Sequence, residues 1–508
     1  MNIITLLEMA AEAFPDRIGV KTHDDALTYA EMLAASRAGA DIFRSAGCKH
    51  AVLLDVNSIA APTVLFAAAL AEIPYVPLNY RLTDAELTAL AARVTPAMMI
   101  AGPESLARLS PPDGMSTILA DAWIEATCGG GFRVAEPSGD GEVVAVQLFT
   151  SGTTGAPKAA ILRHDNLMSY IFGTVEFASA GDDETALITV PPYHIAGISA
   201  VLSSTYAGRR MVMLERFEPR AWLDACQSER ITHAFVVPTM LARIVDEMTA
   251  APGRWDLRAL RAIAFGGGKM PVLVIATAME LLPGVDFTNA YGLTETSSTI
   301  CLLTPDDHRE AMSSSEPHIR RRLGSVGRSI GTVEIAIRDD AGNALRPGEP
   351  GHVFVRGGQV AGEYLGVGSL LDKGGWFPTR DRGYLDSDGF LFLDGRADDV
   401  IVRGGENISP GEIEDILLTH PAVADAAVVA VPDDEWGEVV GAAVVVRMGA
   451  KASADELRVW VRDRLRSSRV PAVVEFRSAL PYNDLGKILR RIIRDELQAQ
   501  RPSSDFDC

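Results

Sequence analysis

Short apolar runs alternate with longer amphipathic segments through the first two thirds of the chain. Residues 4–14 and 29–47 have the spacing of amphipathic helices, and the second begins at Thr28 in the pattern of a capping box. Apolar, β-prone runs that predict strands follow at residues 52–56, 73–78, 97–101, 143–149, 185–190, 234–238 and 262–265. Strands separated by helices predict an α/β fold in which helices cover layered, largely parallel sheets.

The pattern changes near residue 333, where short strands and glycine or proline turns predict a β-rich subdomain. A separate βα pattern begins near residue 400, with helices predicted at 410–418 and 454–466 and strands at 424–431 and 441–446. The chain is also too long for a single core. We therefore expect a large N-terminal α/β domain, its β-rich subdomain and a small α+β C-terminal domain.

The composition of the chain argues against several classes of binding partner. The formal net charge of -20 argues against nucleic acid and anionic membrane surfaces. Five cysteines without paired spacing fit a reducing cytoplasm and form no metal-ligand pattern. The most apolar stretch, residues 59–78, is interrupted by a glutamate and prolines, which predicts a buried helix and strand rather than an integral membrane segment. The expected protein is a cytoplasmic enzyme.

A loop rich in hydroxyl groups and glycine follows the apolar run at 143–149. It consists of four hydroxyl residues, two glycines and a lysine, at Thr150, Ser151, Gly152, Thr153, Thr154, Gly155 and Lys158. Glycines let backbone N–H groups turn toward an anion, and hydroxyls and an ammonium bind phosphate oxygens. A second strand, rather than the helix of a Walker A loop, is predicted after Lys158. The stretch predicts a hairpin that closes over a polyphosphate; the alternative is an exposed turn.

Three further predicted strands end in glycine or polar residues, near positions 192, 266 and 290. Ligands bind at this edge of open α/β sheets. The triple glycine of Gly266, Gly267 and Gly268 by itself suggests a tight turn. Beside the other strand ends it favours close approach of the backbone to a ligand.

Six motifs occur in the order and spacing of one known family. They are the loop at 150–158, Tyr291-Gly-Leu-Thr-Glu295, Gly375-Trp-Phe-Pro-Thr-Arg-Asp381, Gly395-Arg396, Gly404-Gly-Glu-Asn-Ile408 and Gly486-Lys-Ile-Leu-Arg490. Together they resemble the adenylate-forming superfamily over nearly the whole chain, and specifically its acyl-CoA synthetase branch of AMP-dependent CoA ligases.

The resemblance implies a two-step reaction with ATP, Mg²⁺ and coenzyme A. A carboxylate attacks the α-phosphate of ATP to give an acyl-adenylate and pyrophosphate, and a thiol then displaces AMP to give a thioester. Two anions meet in the first step, so the protein must supply positioning and charge neutralisation.

The resemblance also implies roles for the residues that act on the phosphates. Lys487 is similar to the family lysine that bridges the carboxylate and the α-phosphate. Glu295 is similar to the Mg²⁺ ligand, and Thr294 is expected to reach the α-phosphate.

The nucleoside is expected to bind through a second group of residues. Tyr291 would stack on adenine, in a slot completed by the Gly266–Gly268 strand end and by Asn289, Ala290 and Gly292. Asp381 resembles the carboxylate that binds both ribose hydroxyls, and Arg396 is expected to assist at the ribose or a phosphate.

For the second step the family rotates its small domain about a hinge, which maps to Asp398. The resemblance thus implies an AMP- and acyl-binding domain at residues 1–395, a hinge at 396–399 and a mobile C-terminal lid domain at 400–508. Gly404 and Gly405 are expected to line a narrow pantetheine tunnel, although a glycine pair is also common in ordinary turns.

The acyl pocket is expected between residues 193–199, 266–268 and 296–300. Amino-acid-activating relatives place an aspartate about where His194 stands, so an amino acid is not expected. His194 is predicted to gate the acid, with a packed structural histidine as the alternative. Small residues there leave room for an apolar acid, whether fatty, alicyclic or aromatic, and no basic residue is present for a second carboxylate.

Two departures from the family pattern keep other functions open. Arg380 replaces the glycine usual before the ribose aspartate, and Asp484 follows an altered run before Lys487. Besides an acid:CoA ligase we retain an enzyme that loads a carrier protein and a catalytically silent nucleotide-binding homologue. Intact Lys487, Glu295 and Asp381 argue against the silent homologue. The expected oligomeric state is a monomer or homodimer.

Overall fold

The computed structural model describes residues 1–128, 139–150, 157–433, 435–483 and 488–499. Contacts between backbone segments divide the chain into two compact units. The first comprises Met1–Gly266, Val272–Ile335 and Val355–Phe377, and the second comprises Gly267–Pro271, Ala336–Phe354 and Pro378–Cys508.

The strands, in chain order, are β1 (Ile18–Lys21), β2 (Ala26–Thr28), β3 (His50–Leu54), β4 (Tyr75–Pro77), β5 (Ala97–Ala101), β6 (Met115–Leu119), β7 (Val144–Thr150), β8 (Lys158–Arg163), β9 (Thr185–Ile188), β10 (Arg210–Met213), β11 (His233–Val236), β12 (Ala262–Gly266), β13 (Asp286–Leu293), β14 (Ser298–Leu303), β15 (Arg328–Ser329), β16 (Val333–Arg338), β17 (Gly351–Gly357), β18 (Glu363–Tyr364), β19 (Gly368–Ser369), β20 (Phe377–Leu385), β21 (Leu391–Arg396), β22 (Ile401–Arg403), β23 (Glu406–Ile408), β24 (Val423–Asp433), β25 (Gly437–Val446) and β26 (Val473–Arg477).

The helices are α1 (Ile4–Ala13), α2 (Tyr29–Ser45), α3 (Ala60–Ala71), α4 (Asp84–Ala92), α5 (Pro103–Ala107), α6 (Ala120–Cys128), α7 (His164–Thr174), α8 (Ile195–Ala207), α9 (Pro219–Ser228), α10 (Pro238–Ala250), α11 (Val272–Leu281), α12 (Pro305–Ser313), α13 (Pro317–Arg320), α14 (Pro410–Leu418), α15 (Ala454–Arg462) and α16 (Arg490–Ala499). The predicted capping box is confirmed, because the Thr28 and Glu31 side chains each accept from the other residue's backbone N–H.

Two large sheets form the first unit. One has nine strands in the order β15-β14-β13-β12-β11-β9-β10-β1-β2, and the other has eight in the order β19-β18-β8-β7-β4-β3-β5-β6. Strands β11, β12 and β13 run parallel, as do β4, β3, β5 and β6. The predicted α/β class with helix-covered parallel sheets is therefore confirmed. The main core of this unit is built on large buried side chains such as Phe43 and Trp123, whose rings stack 5.0 Å apart.

The second unit contains a five-stranded sheet of order β23-β22-β25-β24, with β26 paired to β25. Alternation along β24 separates its two faces. Val428 and Ala430 point into a core shared with α14 and α15, whereas Val429 and Val431 point into one shared with α16. The sheet is thus covered by helices on both faces, which explains why β24 reads as a continuous apolar run.

A four-stranded sheet of order β16-β17-β20-β21 has most of its residues in the second unit and corresponds to the predicted β-rich subdomain. None of the helices within the described ranges has the length and apolar character needed to cross a membrane.

Candidate active site

The phosphate-loop hairpin is confirmed at its base. Strands β7 and β8 pair antiparallel, and the last pair joins Thr150 to Lys158. The Thr150 hydroxyl donates a hydrogen bond of 3.3 Å to the Lys158 carbonyl oxygen. The residues predicted to wrap the phosphates, which are Ser151, Gly152, Thr153, Thr154 and Gly155, lie outside the described residues.

The end of β13 presents two predicted site residues on a tight turn. Thr294 and Glu295 belong to a 3-10 turn at Thr294–Thr296 that follows the strand directly. The Thr296 hydroxyl closes the turn, because it accepts from Leu293 N at 3.0 Å and donates to the Ser298 carbonyl at 2.8 Å. These bonds fix the backbone from which the Thr294 and Glu295 side chains project.

Glu295 is held by a segment about seventy residues further along the chain. Its carbonyl oxygen accepts from Ala361 N at 2.9 Å and from Gly362 N at 3.0 Å. Its carboxylate accepts a hydrogen bond from the Tyr364 hydroxyl. The Lys158 ammonium lies 5.8 Å from the centroid of the same tyrosine ring. Tyr364 thus contacts Glu295 through its hydroxyl group and Lys158 through its ring.

Sequence reasoning missed Tyr364. The tyrosine lies on the two-residue strand β18, which pairs with β8 at Ala160. Nothing in the local sequence predicts this pairing, because the two strands are separated by some two hundred residues. The only local signal is an aromatic residue within a short run between glycines.

The predicted adenine slot is partly assembled by strand pairing. Gly266 lies opposite Ala290 on the parallel strands β12 and β13. A Cβ at Gly266 would lie 2.1 Å from the Ala290 carbonyl oxygen, so only glycine fits at this position. Asn289 is buried and donates to the Ser325 carbonyl at 3.2 Å. Tyr291 and Gly292 continue β13 and are partly exposed, while Gly267 and Gly268 follow in the second unit.

The predicted acyl segment is aromatic at its start. His194 is the N-cap residue of α8, and its ring lies 4.5 Å from that of Tyr193. Tyr193 in turn meets Tyr80 edge to face at 5.4 Å. Further along α8, Ser199 is 4 % exposed, and its hydroxyl has no hydrogen-bond partner among the described residues.

Asp381 and Arg396, both predicted to bind the nucleotide, form an ion pair in the second unit. They lie opposite each other on the antiparallel strands β20 and β21, with Arg396 Nε 3.0 Å from Asp381 Oδ1. Thr379 completes the arrangement, since its carbonyl accepts from Arg396 at 3.3 Å and its hydroxyl accepts from Asp381 N at 3.1 Å. Asp381 is 7 % exposed, so its neighbours hold its carboxylate in one orientation.

The glycine pair forms the turn between β22 and β23. Gly404 and Gly405 have φ values of 56° and 84°. A Cβ at Gly404 would lie 2.9 Å from the indole of Trp436, a tryptophan that is 44 % exposed and lies 5.3 Å from the Arg403 guanidinium. Sequence reasoning missed Trp436, for which the signal was a tryptophan directly before Gly437.

A cavity of about 640 Å³ lies in the second unit. It is lined mainly by arginines, with Glu412, Arg462, Asp463, Arg464, Leu465, Arg466 and Arg469 around it. Arg469 is already paired with Glu412 at 3.3 Å. The predicted catalytic Lys487 and its neighbour Asp484 lie outside the described residues.

Magnesium in nucleotide sites is typically held by one or two carboxylates and by the phosphates themselves. Glu295 supplies one such carboxylate. Within the described ranges no group of three or more His, Cys, Asp or Glu side chains is arranged to hold a metal ion. The residues fit a cation that would arrive with ATP, because the Glu295 carboxylate can bind the cation and the Lys158 ammonium, on the same tyrosine, can bind phosphate oxygens.

Comparison with known proteins agrees with this geometry. Residues 7–365 match the family model for AMP-binding enzymes, and residues 412–487 match the model for the C-terminal domain of AMP-binding enzymes. The chain is 32% identical over 498 residues to a feruloyl-CoA synthase of Amycolatopsis, a match that covers 95% of this chain and 96% of the relative. It is 30% identical over 524 residues to an indoleacetate–CoA ligase of Aromatoleum aromaticum, covering 97% and 98%.

A solved structure extends the likeness to three dimensions. The o-succinylbenzoate CoA synthetase of Bacillus subtilis, solved with its acyl-adenylate intermediate, aligns with a TM-score of 0.82 at 29% identity and covers 98% of both chains. The fold, the collinear motifs and these full-length matches agree on an AMP-forming acid–thiol ligase that uses ATP, Mg²⁺ and coenzyme A. The chain therefore belongs to the family of AMP-binding enzymes, in its acyl-CoA synthetase branch.

Proposed function

We propose that this ligase activates an apolar aromatic carboxylic acid and transfers it to coenzyme A. The observation that carries the proposal is the segment at 193–199, which contains no Asp, Glu, Lys or Arg and begins with the packed rings of Tyr193 and His194. Tyr80, from an earlier part of the chain, packs edge to face against Tyr193. Aromatic rings favour edge-to-face or offset contact with another ring. The names of the similar ligases denote acids that contain a ring, which supports the same class.

The predicted phosphate and carboxylate roles stay part of the proposal. Glu295 would hold Mg²⁺, which supplies charge neutralisation at the phosphate oxygens. Thr294, Lys158 and the loop hydroxyls would bind the phosphates, and Lys487 would bridge the carboxylate and the α-phosphate. The turn that follows β13 supports this assignment, since it directs Thr294 and Glu295 from one rigid point.

The nucleoside would bind through Tyr291, the Gly266–Gly268 strand end, Asn289, Ala290 and Gly292 at adenine, and through Asp381 at the ribose. The Arg396–Asp381 pair supports the ribose assignment, because the contact between Arg396 Nε and Asp381 Oδ1 fixes the orientation of the carboxylate. Arg396 thereby assists at the ribose by orienting its partner.

The thiol step would use Gly404, Gly405 and the arginine-lined cavity. Gly404 lets the backbone approach the Trp436 indole, since a Cβ there would lie 2.9 Å from it, and this close approach suits a narrow channel for pantetheine. The phosphates of coenzyme A suit the arginine-lined cavity, because guanidinium groups bind phosphates in bidentate geometry. The hinge at 396–399, the domain boundaries, a cytoplasmic location and a monomeric or dimeric state stay predictions. A carrier protein stays the rival acceptor.

The test is pyrophosphate release from ATP and Mg²⁺ across linear, alicyclic, aromatic and amino acids, each with and without coenzyme A. We expect release with aromatic acids to be at least tenfold faster than with linear or amino acids, and to turn over only when coenzyme A is present. Preference for linear acids would contradict the aromatic assignment. Release without dependence on coenzyme A would indicate a carrier protein, and no release with any acid would indicate a silent homologue.

The catalytic lysine is tested separately. Lys487→Ala should lower adenylate formation by a factor on the order of 10² to 10³, since it removes a charge that acts in the transition state, while ATP binding is largely kept. Lys451→Ala is the matched control, because Lys451 is an exposed lysine of the same unit. Equal rates for the two variants would refute the role of Lys487.

A further inference from the structure

The side chain of Tyr364 lies against both Glu295 and Lys158. The Tyr364 hydroxyl donates a hydrogen bond to Glu295 Oε1, and the Tyr364 ring centroid lies 5.8 Å from the Lys158 ammonium. A cation within about 6 Å of an aromatic centroid is attracted to the ring. One side chain therefore contacts both the predicted magnesium ligand and the predicted phosphate lysine.

The backbone around Tyr364 is fastened to both of these neighbours. Ala361 N and Gly362 N donate to the Glu295 carbonyl, and Leu365 N donates to the Ala159 carbonyl at 2.9 Å. Glu363 makes a bidentate ion pair with Arg163 at the other end of β8, with N–O distances of 3.0 and 2.9 Å from Arg163 Nη2. Contacts made by the residues before and after Tyr364 in the chain thus fix the position of its hydroxyl group.

We propose that Tyr364 is a positioning residue for the magnesium carboxylate. By occupying Oε1 of Glu295, its hydroxyl fixes the rotation of the carboxylate and leaves Oε2 to face the cation and the phosphates. Its ring, at the same time, attracts the Lys158 ammonium, which lies 5.8 Å from the ring centroid. This inference rests on the proposed function, because it assumes that Glu295 binds Mg²⁺.

Tyr364→Phe removes the hydroxyl and keeps the ring. Without this hydrogen bond the Glu295 carboxylate can rotate. We therefore expect the Mg²⁺ concentration for half-maximal activity to rise roughly tenfold. The kcat at saturating Mg²⁺ should return to within about twofold of the wild-type value, and KM for the acid should not change. A uniform loss of kcat that Mg²⁺ does not rescue would overturn the proposal, since a merely structural defect would give that result.

Binding is measured without turnover by titrating Mn²⁺ into the protein with a non-hydrolysable ATP analogue and following free Mn²⁺ by electron paramagnetic resonance. Tyr364→Phe should bind Mn²⁺ roughly tenfold more weakly, and Tyr364→His, which keeps a ring donor, should lose less. If Tyr364→Phe does not fold, Tyr364→His carries the test: affinity within threefold of wild type supports the proposal, and a tenfold loss contradicts it. Tyr206→Phe is the matched control, since this tyrosine of the same unit packs only against Phe172 and Phe177 among the ring contacts described.

A double-mutant cycle with Glu295→Gln separates this inference from the proposed function. If Tyr364 acts through Glu295, the effect of Tyr364→Phe on Mn²⁺ affinity should disappear in the Glu295→Gln protein. A wild-type protein that shows no acid-dependent pyrophosphate release would defeat the proposed function itself. An active wild type in which Glu295→Gln weakens Mn²⁺ binding and Tyr364→Phe does not would defeat only the role of Tyr364.

Discussion

At the scale of single residues, Arg380 adopts a backbone conformation that side chains rarely occupy. Its φ angle is 64°, in the left-handed region, and its side chain is exposed. In this conformation Cβ crowds the following carbonyl oxygen, which costs about 1–2 kcal/mol for an L-residue. Glycine lacks Cβ and would adopt this dihedral angle without that crowding. The next residue is Asp381, so the strain lies directly beside the predicted ribose ligand.

Arg380→Gly should therefore stabilise the protein. We expect the free energy of unfolding to rise by roughly 0.5–1 kcal/mol, because relief of the left-handed strain exceeds the entropy that glycine adds to the unfolded chain. The measurement is the midpoint of urea unfolding. Arg380→Ala is the control, since it removes the guanidinium but keeps Cβ and should give no gain. Equal midpoints for the two variants would show that φ at this position carries no strain.

Motifs in the sequence select candidate site residues whose type suits the chemistry of a ligand. The motifs contain Thr150, Glu295, Asp381 and Arg396. The structure pairs Asp381 with Arg396. Tyr364 and Trp436 were missed because their importance comes from partners far along the chain. Arg380 was recognised as a departure from the family pattern, but its φ angle depends on the surrounding strands.

At the scale of elements, the second unit joins two of its helices through a buried ion pair. Glu414 on α14 and Arg490, the first residue of α16, form a bidentate contact, with Arg490 Nη2 3.0 Å from Glu414 Oε2. Both groups also bind β24, because Val428 N donates to Glu414 at 2.7 Å and Arg490 donates to the Val428 carbonyl at 2.7 Å. The pair thus ties α14, β24 and α16 together.

Removing both charges of this pair should destabilise the protein by less than the sum of the two single losses. Glu414→Gln keeps the acceptor for Val428 N but removes the nearer of the two carboxylates that face Arg490, which leaves Asp399 at 3.6 Å as its counter-charge, and we expect a loss of about 2 kcal/mol. Arg490→Met should cost a similar amount, and the double variant should be at least 1 kcal/mol more stable than the sum of the two losses predicts. Urea unfolding measures all three. Asp455→Asn, which breaks the exposed Arg458–Asp455 pair, is the control and should change little. Additive losses would show that the pair is not coupled.

Local periodicity predicted many elements but not their neighbours in the sheets. Strand β5 at Ala97–Ala101 and helix α14 at Pro410–Leu418 have the predicted bounds, because each is a short apolar or amphipathic run with clear ends. The pairing of β1 with β10, almost two hundred residues apart, was not predictable. A strand's own residues show that one or both faces are buried, and they carry no information about which strand lies beside it.

At the scale of the whole molecule, buried histidines set the response to acid. Burial lowers the pKa of His164 to about 4, helped by the positive N-terminal ammonium. His164 is 1 % exposed, and its Nδ1 accepts from Ile3 N at 3.3 Å. Burial likewise lowers the pKa of His233 to about 4, and those of His50 and His308 below their usual value. All four histidines are neutral in the folded protein at pH 7.

Stability should therefore fall as the pH falls from about 6.5 to 4. In this window the unfolded chain takes up a proton at each histidine while the folded chain does not, so protonation favours the unfolded state. For His164 alone the loss amounts to about 3 kcal/mol at pH 4. Burial raises the pKa of Asp55, Asp394 and Asp425, whose protonation favours the folded state. Their contribution is present at low pH and is lost as the pH rises through their raised pKa values.

Urea unfolding at several pH values between 4 and 7 measures the slope. His164→Asn keeps an acceptor for Ile3 N but cannot titrate, so it should reduce the slope by up to one proton, or about 1.4 kcal/mol per pH unit. His23→Asn is the control, because it also removes a histidine but from a side chain that is 98% exposed. If the two variants have the same slope as the wild type, His164 is protonated in the folded state, and the acid response must come from other groups. A slope that falls only in His164→Asn would assign this part of the response to the contact between the N-terminal segment and α7.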